Sequence, residues 1–278
     1  MSEKSSLVSR RTFVGAGVGV AVAALCGGSG LLTGCASRAD EPRVKVSDPY
    51  VCPYNWDGLV HDGDKLEYYE NDQLKSRWGI DVSEHQGVIN WGSVAQAGVQ
   101  FAFVRVGNRG ATEGALGVDE YFEANAAGAT AAGVTLGAYF FSQSLTEGEA
   151  REEAAFALEQ LRSAEASGAQ FVAVVYDHEP VEIEGARANS LSAEQFSANA
   201  QAFCEDVTKA GYRAMLYGNQ EDLLRLSPEV RSAYPVWLAE YDVPNPTAQL
   251  DFVLWQYTNE GTVAGIDTPV DLNIWFEG

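Results

Sequence analysis

The chain has few of the residues that bind metals or nucleic acids. Its 278 residues include three histidines and four cysteines, with neither a C-x-x-C pair nor an H-E-x-x-H motif. A metal site is therefore not expected. Basic residues are also scarce, because 18 Lys and Arg stand against 39 Asp and Glu, a formal net charge of -21. Phosphates repel so acidic a chain, and we expect no nucleic-acid partner.

One apolar stretch, near the amino terminus, has the pattern of an export signal. Arg10 and Arg11 precede a run of mostly Gly, Ala and Val that extends to Leu32, and its short length and small residues argue against a membrane span. The arginine pair resembles a twin-arginine signal, and LTGC at 32–35 resembles a bacterial lipobox. We predict that residues 1–35 are a signal ending at a lipid-modified Cys35, so that an exported protein is anchored to the membrane at the cell surface. The alternative is an unlipidated signal with a chance cysteine.

Two cysteines remain in the body of the chain. Cys26 and Cys35 fall within the predicted signal, which leaves Cys52 and Cys204. Export to an oxidising compartment permits a disulfide between them. The sequence leaves two alternatives open, a Cys52–Cys204 bridge and two buried free thiols.

Residues 36–77 are predicted to form a tether followed by a small extension. The segment 36–48 is polar, whereas Tyr50, Tyr54 and Trp56 are suited to pack against another surface. The segment 65–77 alternates around Asn71-Asp72, a pattern typical of a short hairpin. We expect this extension to lie against the outside of the main domain.

Residues 78–278 alternate between predicted strands and predicted helices, without an internal repeat. The predicted strands are 79–83, 101–106, 135–142, 171–177, 213–217, 236–241, 252–257 and 270–276. The predicted helices are 90–97, 119–132, 147–166, 192–210 and 221–226. Eight such units in one domain predict an α/β fold, an irregular, TIM-barrel-like (β/α) barrel. The last three strands have only reduced helices between them, and 258–268 is predicted to be a hairpin loop. We expect a monomer.

The stretch FVAVVYDHEP at 171–180 carries the clearest chemical signal. Its apolar run is typical of a strand buried on both faces, and it ends in Asp177 and Glu179. Side chains at i and i+2 of a strand share a face, so both carboxylates are expected at one site. Mutual repulsion and burial would raise the pKa of one of them, and a carboxylic acid beside a carboxylate suits cleavage of a glycosidic bond. The alternative is an acidic strand end that caps the next segment.

Other polar and aromatic residues also fall at predicted strand ends. In a barrel these ends converge at one opening, where reactive groups gather. The candidates gathered there are Asp81, His85, Arg105, Tyr139, Tyr217, Trp237, Tyr241, Gln256 and Asp271. The aromatic residues are predicted to be sugar-stacking platforms, with packing in the core as the alternative. His85 is interpreted as a structural, hydrogen-bonded imidazole.

The order of short motifs resembles glycoside hydrolase family 25, the Chalaropsis-type lysozymes or N-acetylmuramidases. The motifs are GIDVSEHQG (79–87), NW (90–91), GAYFF (137–141), YDHE (176–179), GYRAMLY (211–217), WLAEY (237–241), WQY (255–257) and VDLN (270–273). The resemblance implies hydrolysis of the β-1,4 bond between N-acetylmuramic acid and N-acetylglucosamine in peptidoglycan, without a cofactor. Glu179 matches the family's general acid, and Asp81, Asp177 and Asp271 match its other active-site carboxylates. Phe140 and Asn90 depart from the family's usual His and Asp.

Two questions stay open at the level of sequence. The first is the mechanism, in which either an enzyme carboxylate or the substrate's own N-acetyl group displaces the leaving group; we favour Asp177 assisting the N-acetyl group, with net retention. The second is the activity itself. Its alternatives are a chitinase-like or endo-N-acetylglucosaminidase activity and a surface lipoprotein that binds glycans without cleaving them.

Overall fold

Eight strands of the computed structural model close into a barrel. The structure describes residues 50–277, and the predicted signal and tether, with Cys35, lie outside these residues. The strands are β1 (Leu59–Asp62), β2 (Lys65–Glu70), β3 (Gln73–Leu74), β4 (Ser76–Val82), β5 (Phe101–Arg109), β6 (Leu116–Val118), β7 (Thr135–Phe141), β8 (Phe171–Asp177), β9 (Ala214–Asn219), β10 (Val236–Ala239), β11 (Leu254–Gly261) and β12 (Val270–Phe276). The helices are α1 (Trp91–Gln96), α2 (Phe122–Ala131), α3 (Glu147–Ala166), α4 (Ala193–Lys209), α5 (Gln220–Arg225) and α6 (Pro228–Ala233).

The order around the barrel is β4-β12-β11-β10-β9-β8-β7-β5, and a β4–β5 pairing closes it. Seven of these strands run parallel, and β12 runs antiparallel to both of its neighbours, β11 and β4. The predicted irregular α/β barrel is confirmed, as is the hairpin between the last two strands. The sequence did not predict β6, which pairs antiparallel with the carboxyl end of β5.

Side chains along each barrel strand alternate between two separate apolar cores. Phe103, Val175 and Trp237 belong to the core inside the barrel. Val174 and Tyr176 belong to the outer core between strands and helices. This period of two places every second side chain of a strand in the interior, and at the open end of the barrel that inward set becomes the lining of a cleft.

The helices begin where the sequence supplies a capping side chain. Asn90, Thr146 and Ser192 accept hydrogen bonds from backbone N–H groups in the first turns of α1, α3 and α4. Each cap satisfies a donor that has no partner within the helix. All five predicted helices are present, whereas α6 was not predicted, although Ser227-Pro228 at its start is a typical signal.

The N-terminal extension covers the barrel where long helices are missing. Tyr54 donates to the carbonyl of Phe252 at 2.7 Å, and its ring stacks on Phe276 at 4.3 Å. The indole of Trp78 donates to the hydroxyl of Tyr257 at 2.8 Å, and that hydroxyl donates to the carbonyl of Asp64 at 2.5 Å. The extension thus packs on the main domain, as predicted.

The predicted hairpin turn is also present. Asn71 and Asp72 lie between β2 and β3 and adopt φ values of 50° and 61°. Asn and Asp tolerate this left-handed conformation better than most residues, and two successive positive φ angles are typical of a tight hairpin turn. The hairpin turn predicted at Asn71-Asp72 is therefore confirmed.

The two body cysteines are free thiols, so the Cys52–Cys204 bridge is not formed. Cys204 is buried on α4 with its Sγ toward the carbonyl oxygen of Met215, and burial raises its pKa. Cys52 lies in the partly exposed extension. Of the two alternatives that the sequence left open, the structure adopts free thiols, one of them fully buried.

Within residues 50–277, no helix has the length and apolar character needed to cross a membrane.

Candidate active site at the carboxyl end of the barrel

Asp81 and Asp271 face each other on neighbouring strands at the open end of the barrel. They are direct partners in the antiparallel register of β4 and β12, so their Cβ atoms lie about 4.5–5.5 Å apart. The sequence prediction that Asp271 lies at the carboxyl end of its strand is wrong. It is the second residue of β12, and it reaches the same opening as Asp81 because β12 runs in reverse.

Asp177 and Glu179 lie on the opposite wall of the barrel. Asp177 is the last residue of β8 and is 1% exposed, whereas Glu179 follows two residues later and is partly exposed. At least two strands separate β8 from β4 and β12 in either direction around the barrel. The opening therefore carries two carboxylates on each of two facing walls.

A chain of buried amides holds Asp81 in place. Its Oδ2 accepts from Gln256 Nε2 at 2.6 Å and from Asn273 Nδ2 at 2.9 Å. The other ends of these amides are also occupied: Gln256 Oε1 accepts from Tyr217 Oη at 2.7 Å and from Tyr241 Oη. These two amide donors fix the orientation of the Asp81 carboxyl group at the opening of the barrel. Asn273 was not predicted, although it lies in the VDLN motif.

The predicted aromatic platforms differ in their exposure. Trp237 is 0% exposed, and its Nε1 donates to Asn273 Oδ1 at 2.8 Å. Tyr139 and Tyr217 are also buried and make edge-to-face contacts with the Trp237 ring. Only Tyr241 of this group is partly exposed. Trp237 and Gln256 form a supporting layer beneath the carboxylates in this structure, and contact with substrate stays a prediction for all of these residues.

Arg105 is held by acidic groups of the rim. It lies within β5 rather than at its end, and its Nε donates to Asp119 Oδ2 at 2.8 Å. Its second guanidinium nitrogen lies 2.7 Å from Glu84 Oε1. Asp119 also accepts from the backbone N–H of Glu84 at 2.8 Å. This cluster fixes the loop after β4, where His85 is exposed in a short 3-10 turn.

His178 points away from the cleft, although it stands between two candidate catalytic residues. It is 1% exposed, packs on Phe196 of α4, and its Nδ1 lies 3.1 Å from the carbonyl oxygen of Ser142. Burial lowers its pKa to about 4. A neutral imidazole therefore donates to the carbonyl, and His178 supports the β8 end without facing a substrate.

The chain belongs to glycosyl hydrolases family 25. A barrel with carboxylates gathered at its carboxyl end is the arrangement of a barrel enzyme, and the family model matches residues 80–266. Lysozyme M1 of Streptomyces globisporus is 31% identical over 209 residues, which cover 70% of this chain and 66% of that protein. The autolytic lysozyme of Clostridium acetobutylicum is 25% identical over 200 residues, 72% of this chain and 56% of that protein. The chain thus spans about two thirds or less of these relatives.

Solved structures give the same fold. A bacterial lysozyme from Streptomyces coelicolor matches with a TM-score of 0.57 at 28% identity, over 73% of this chain and 92% of that chain. The modular autolysin LytC of Streptococcus pneumoniae, solved in complex with a synthetic peptidoglycan ligand, matches with a TM-score of 0.65 at 22% identity, over 79% and 52% of the two chains. The second likeness concerns the fold alone.

Among the described residues, no cluster of three or more His, Cys, Asp or Glu could hold a metal ion.

Proposed function

We propose that this protein is a lysozyme-type muramidase that hydrolyses the β-1,4 bond between N-acetylmuramic acid and N-acetylglucosamine in peptidoglycan, without a cofactor. The observation that carries the proposal is the placement of two carboxylate pairs on facing walls of a family 25 barrel. Two relatives named lysozymes support the choice of substrate. The protein is proposed to act as a monomer on glycan strands.

The four carboxylates take different roles in this proposal. Glu179 is the general acid that protonates the leaving oxygen, since its partial exposure lets it reach a substrate. Asp177 is buried beside it and orients the N-acetyl group of the substrate, which attacks the anomeric carbon with net retention. Asp81, fixed by two amide donors, and its neighbour Asp271 stabilise the positive charge that develops on the sugar.

The product of digestion tests the substrate assignment. Purified peptidoglycan treated with the protein should yield muropeptides whose reducing end is N-acetylmuramic acid. Reducing ends of N-acetylglucosamine would indicate a glucosaminidase, and cleavage of chitin oligomers in preference to peptidoglycan would indicate a chitinase-like enzyme. Binding of glycan strands without any new reducing ends would indicate a non-catalytic binding protein.

Substitution of Asp177 and Glu179 tests their roles. Glu179→Gln keeps the shape and removes the proton, so turnover should fall by about 10²–10⁴-fold while glycan binding survives. Asp177→Asn should be similarly impaired, because a neutral amide stabilises the developing charge less well. An activated glycoside, whose leaving group needs no protonation, should restore bond cleavage in Glu179→Gln alone.

The matched control is Glu182→Gln, an exposed carboxylate in the loop that follows. It should retain the activity of the unmodified protein on both substrates. Equal rescue of Glu179→Gln and Asp177→Asn by the activated glycoside, or rescue of Asp177→Asn alone, would show that the roles are assigned wrongly.

A further inference from the structure

Ser142 and Gln143, which follow β7, form hydrogen bonds with the residues at the carboxyl end of β8 and just beyond it. The backbone N–H of Ser142 donates to the carbonyl of Asp177 at 2.7 Å, and the Ser142 carbonyl lies 3.1 Å from His178 Nδ1. The side chain of Gln143 then donates from Nε2 to the carbonyl of Glu179 at 2.9 Å. Two residues thus bind three consecutive residues of the acidic segment.

One buried carboxylate of α3 holds these two residues. Glu153 Oε2 accepts from the Ser142 hydroxyl at 2.6 Å, and Glu153 Oε1 accepts from the Gln143 backbone N–H at 3.3 Å. Oε1 also accepts from Arg109 Nε at 2.8 Å. The Glu153 side chain is 0% exposed, and burial raises its pKa to about 7. Burying a carboxylate is costly unless its oxygens are satisfied, and here both are.

We propose that Glu153 is a positioning residue for the reaction: through Ser142 and Gln143 it fixes the backbone that aims Asp177 and Glu179 into the cleft. The inference rests on the catalytic roles proposed for those two residues. Glu153 itself lies in the helix layer and does not face the substrate. Hydrogen bonds carry the effect: Glu153 binds the Ser142 hydroxyl and the Gln143 backbone N–H. The Ser142 backbone N–H and the Gln143 side chain in turn bind the carbonyls of Asp177 and Glu179.

Two substitutions separate this geometry from the charge of Glu153. Glu153→Gln can still accept from Arg109 and Gln143 through its oxygen and donate to Ser142, whose hydroxyl can turn toward Ser144 Oγ, 3.0 Å away. Glu153→Leu has a similar volume and makes none of these bonds. The Leu variant should lose about ten-fold or more in kcat, with KM within about two-fold, because small displacements of catalytic groups are costly. The Gln variant should stay within about three-fold of the unmodified protein in kcat.

The matched control is Glu152→Gln. Glu152 is the neighbour of Glu153 on α3 and also contacts Arg109, at 3.1 Å, but its side chain is 65% exposed. The control removes the same charge from the same arginine and should leave kcat and KM unchanged. A folded Glu153→Leu with unchanged kcat would overturn the proposal, as would equal losses in the Leu and Gln variants or a loss of thermal stability alone.

Amide hydrogen exchange tests the positioning without turnover. The Ser142 N–H reports directly on its bond to Asp177, and it should exchange at least about ten-fold faster in Glu153→Leu than in the control. If the unmodified protein cleaves no glycan, the proposed function fails, and unchanged exchange in the Leu variant then overturns the positioning role separately. If the Leu variant does not fold, Gln143→Met decides, because it removes only the donor to the Glu179 carbonyl. It should lower kcat several-fold, and an unchanged kcat would overturn the inference.

Discussion

His178 is a buried, structural residue between two candidate catalytic carboxylates, Asp177 and Glu179. The strand period predicts Asp177 and Glu179 on one face of the chain and the residue between them on the other face. There it is buried against Phe196 and bonded to the Ser142 carbonyl. Its pKa, lowered to about 4 by burial, makes protonation of His178 a cost to the folded state.

This residue should make stability depend on acidity. The pKa of His178 is about 6.5 in the unfolded chain and about 4 in the folded protein. Its contribution to the free energy of unfolding is therefore fully present above pH 6.5 and is lost as the pH falls from about 6.5 to about 4. The loss amounts to about 3 kcal/mol at most. His178→Gln keeps a donor for Ser142 and does not titrate, so its unfolding free energy should fall less between pH 7 and pH 4. Urea denaturation at several pH values measures this.

The control for this experiment is His61→Gln, at an exposed position of β1. It should follow the curve of the unmodified protein. If His178→Gln also runs parallel to that curve throughout, His178 does not contribute to the acid sensitivity.

At the scale of residues, the sequence predicts which side chains meet but not what they bind. The alternation along β8 predicts Asp177 and Glu179 on one face, because that rule depends only on neighbours in the chain. Substrate contact by Gln256 and Trp237 stays a prediction, but their bonds to other strands were not predicted: Gln256 donates to Asp81 and Trp237 donates to Asn273. Such bonds depend on the register between strands, which a single sequence does not state.

At the scale of elements, all eight barrel strands and the long helix at 147–166 follow from apolar periodicity and capping residues. The consequence of reversing β12 was not foreseen. A short loop predicts a hairpin, and a hairpin puts the beginning of its second strand at the opening. This places Asp271 opposite Asp81 although it precedes most of its strand. Asp271 thus lies in the predicted cluster, but at the beginning of β12 and not at its carboxyl end.

The N-terminal extension should act as a structural replacement for a helix. Tyr54 contacts Phe252, before β11, and Phe276, at the end of β12. Both lie at the amino end of the barrel, away from the carboxylates. Tyr54→Ala removes a large aromatic contact and should destabilise the protein by about 3 kcal/mol or more, as measured by urea denaturation. Turnover per folded molecule should be unchanged.

Val51→Ala is the matched control, since Val51 lies in the same segment and is 80% exposed. It should leave both the denaturation midpoint and turnover unchanged. A Tyr54→Ala variant as stable as the unmodified protein, whether active or inactive, would contradict the prediction that the extension stabilises the barrel.

At the scale of the whole molecule, the described chain begins at the end of the barrel that is opposite the cleft. Tyr50 donates to the carbonyl of Leu250 at 2.8 Å, and Leu250 precedes β11 at its amino end. We propose that Cys35 is lipid-modified after export, so that the protein is anchored to a membrane at the cell surface.

Replacement of the anchoring cysteine tests this arrangement. Cys35→Ser should release the protein from membranes or block its processing, because one thiol carries the proposed lipid. Its kcat on soluble glycan fragments should equal that of the unmodified protein, since the barrel begins beyond the tether. Cys26→Ser, a second cysteine within the predicted signal, is the matched control and should remain anchored. Detergent phase partitioning and mass measurement of the N-terminal peptide provide the readout, and an unmodified protein found wholly in the aqueous phase with a free Cys35 would refute the anchor.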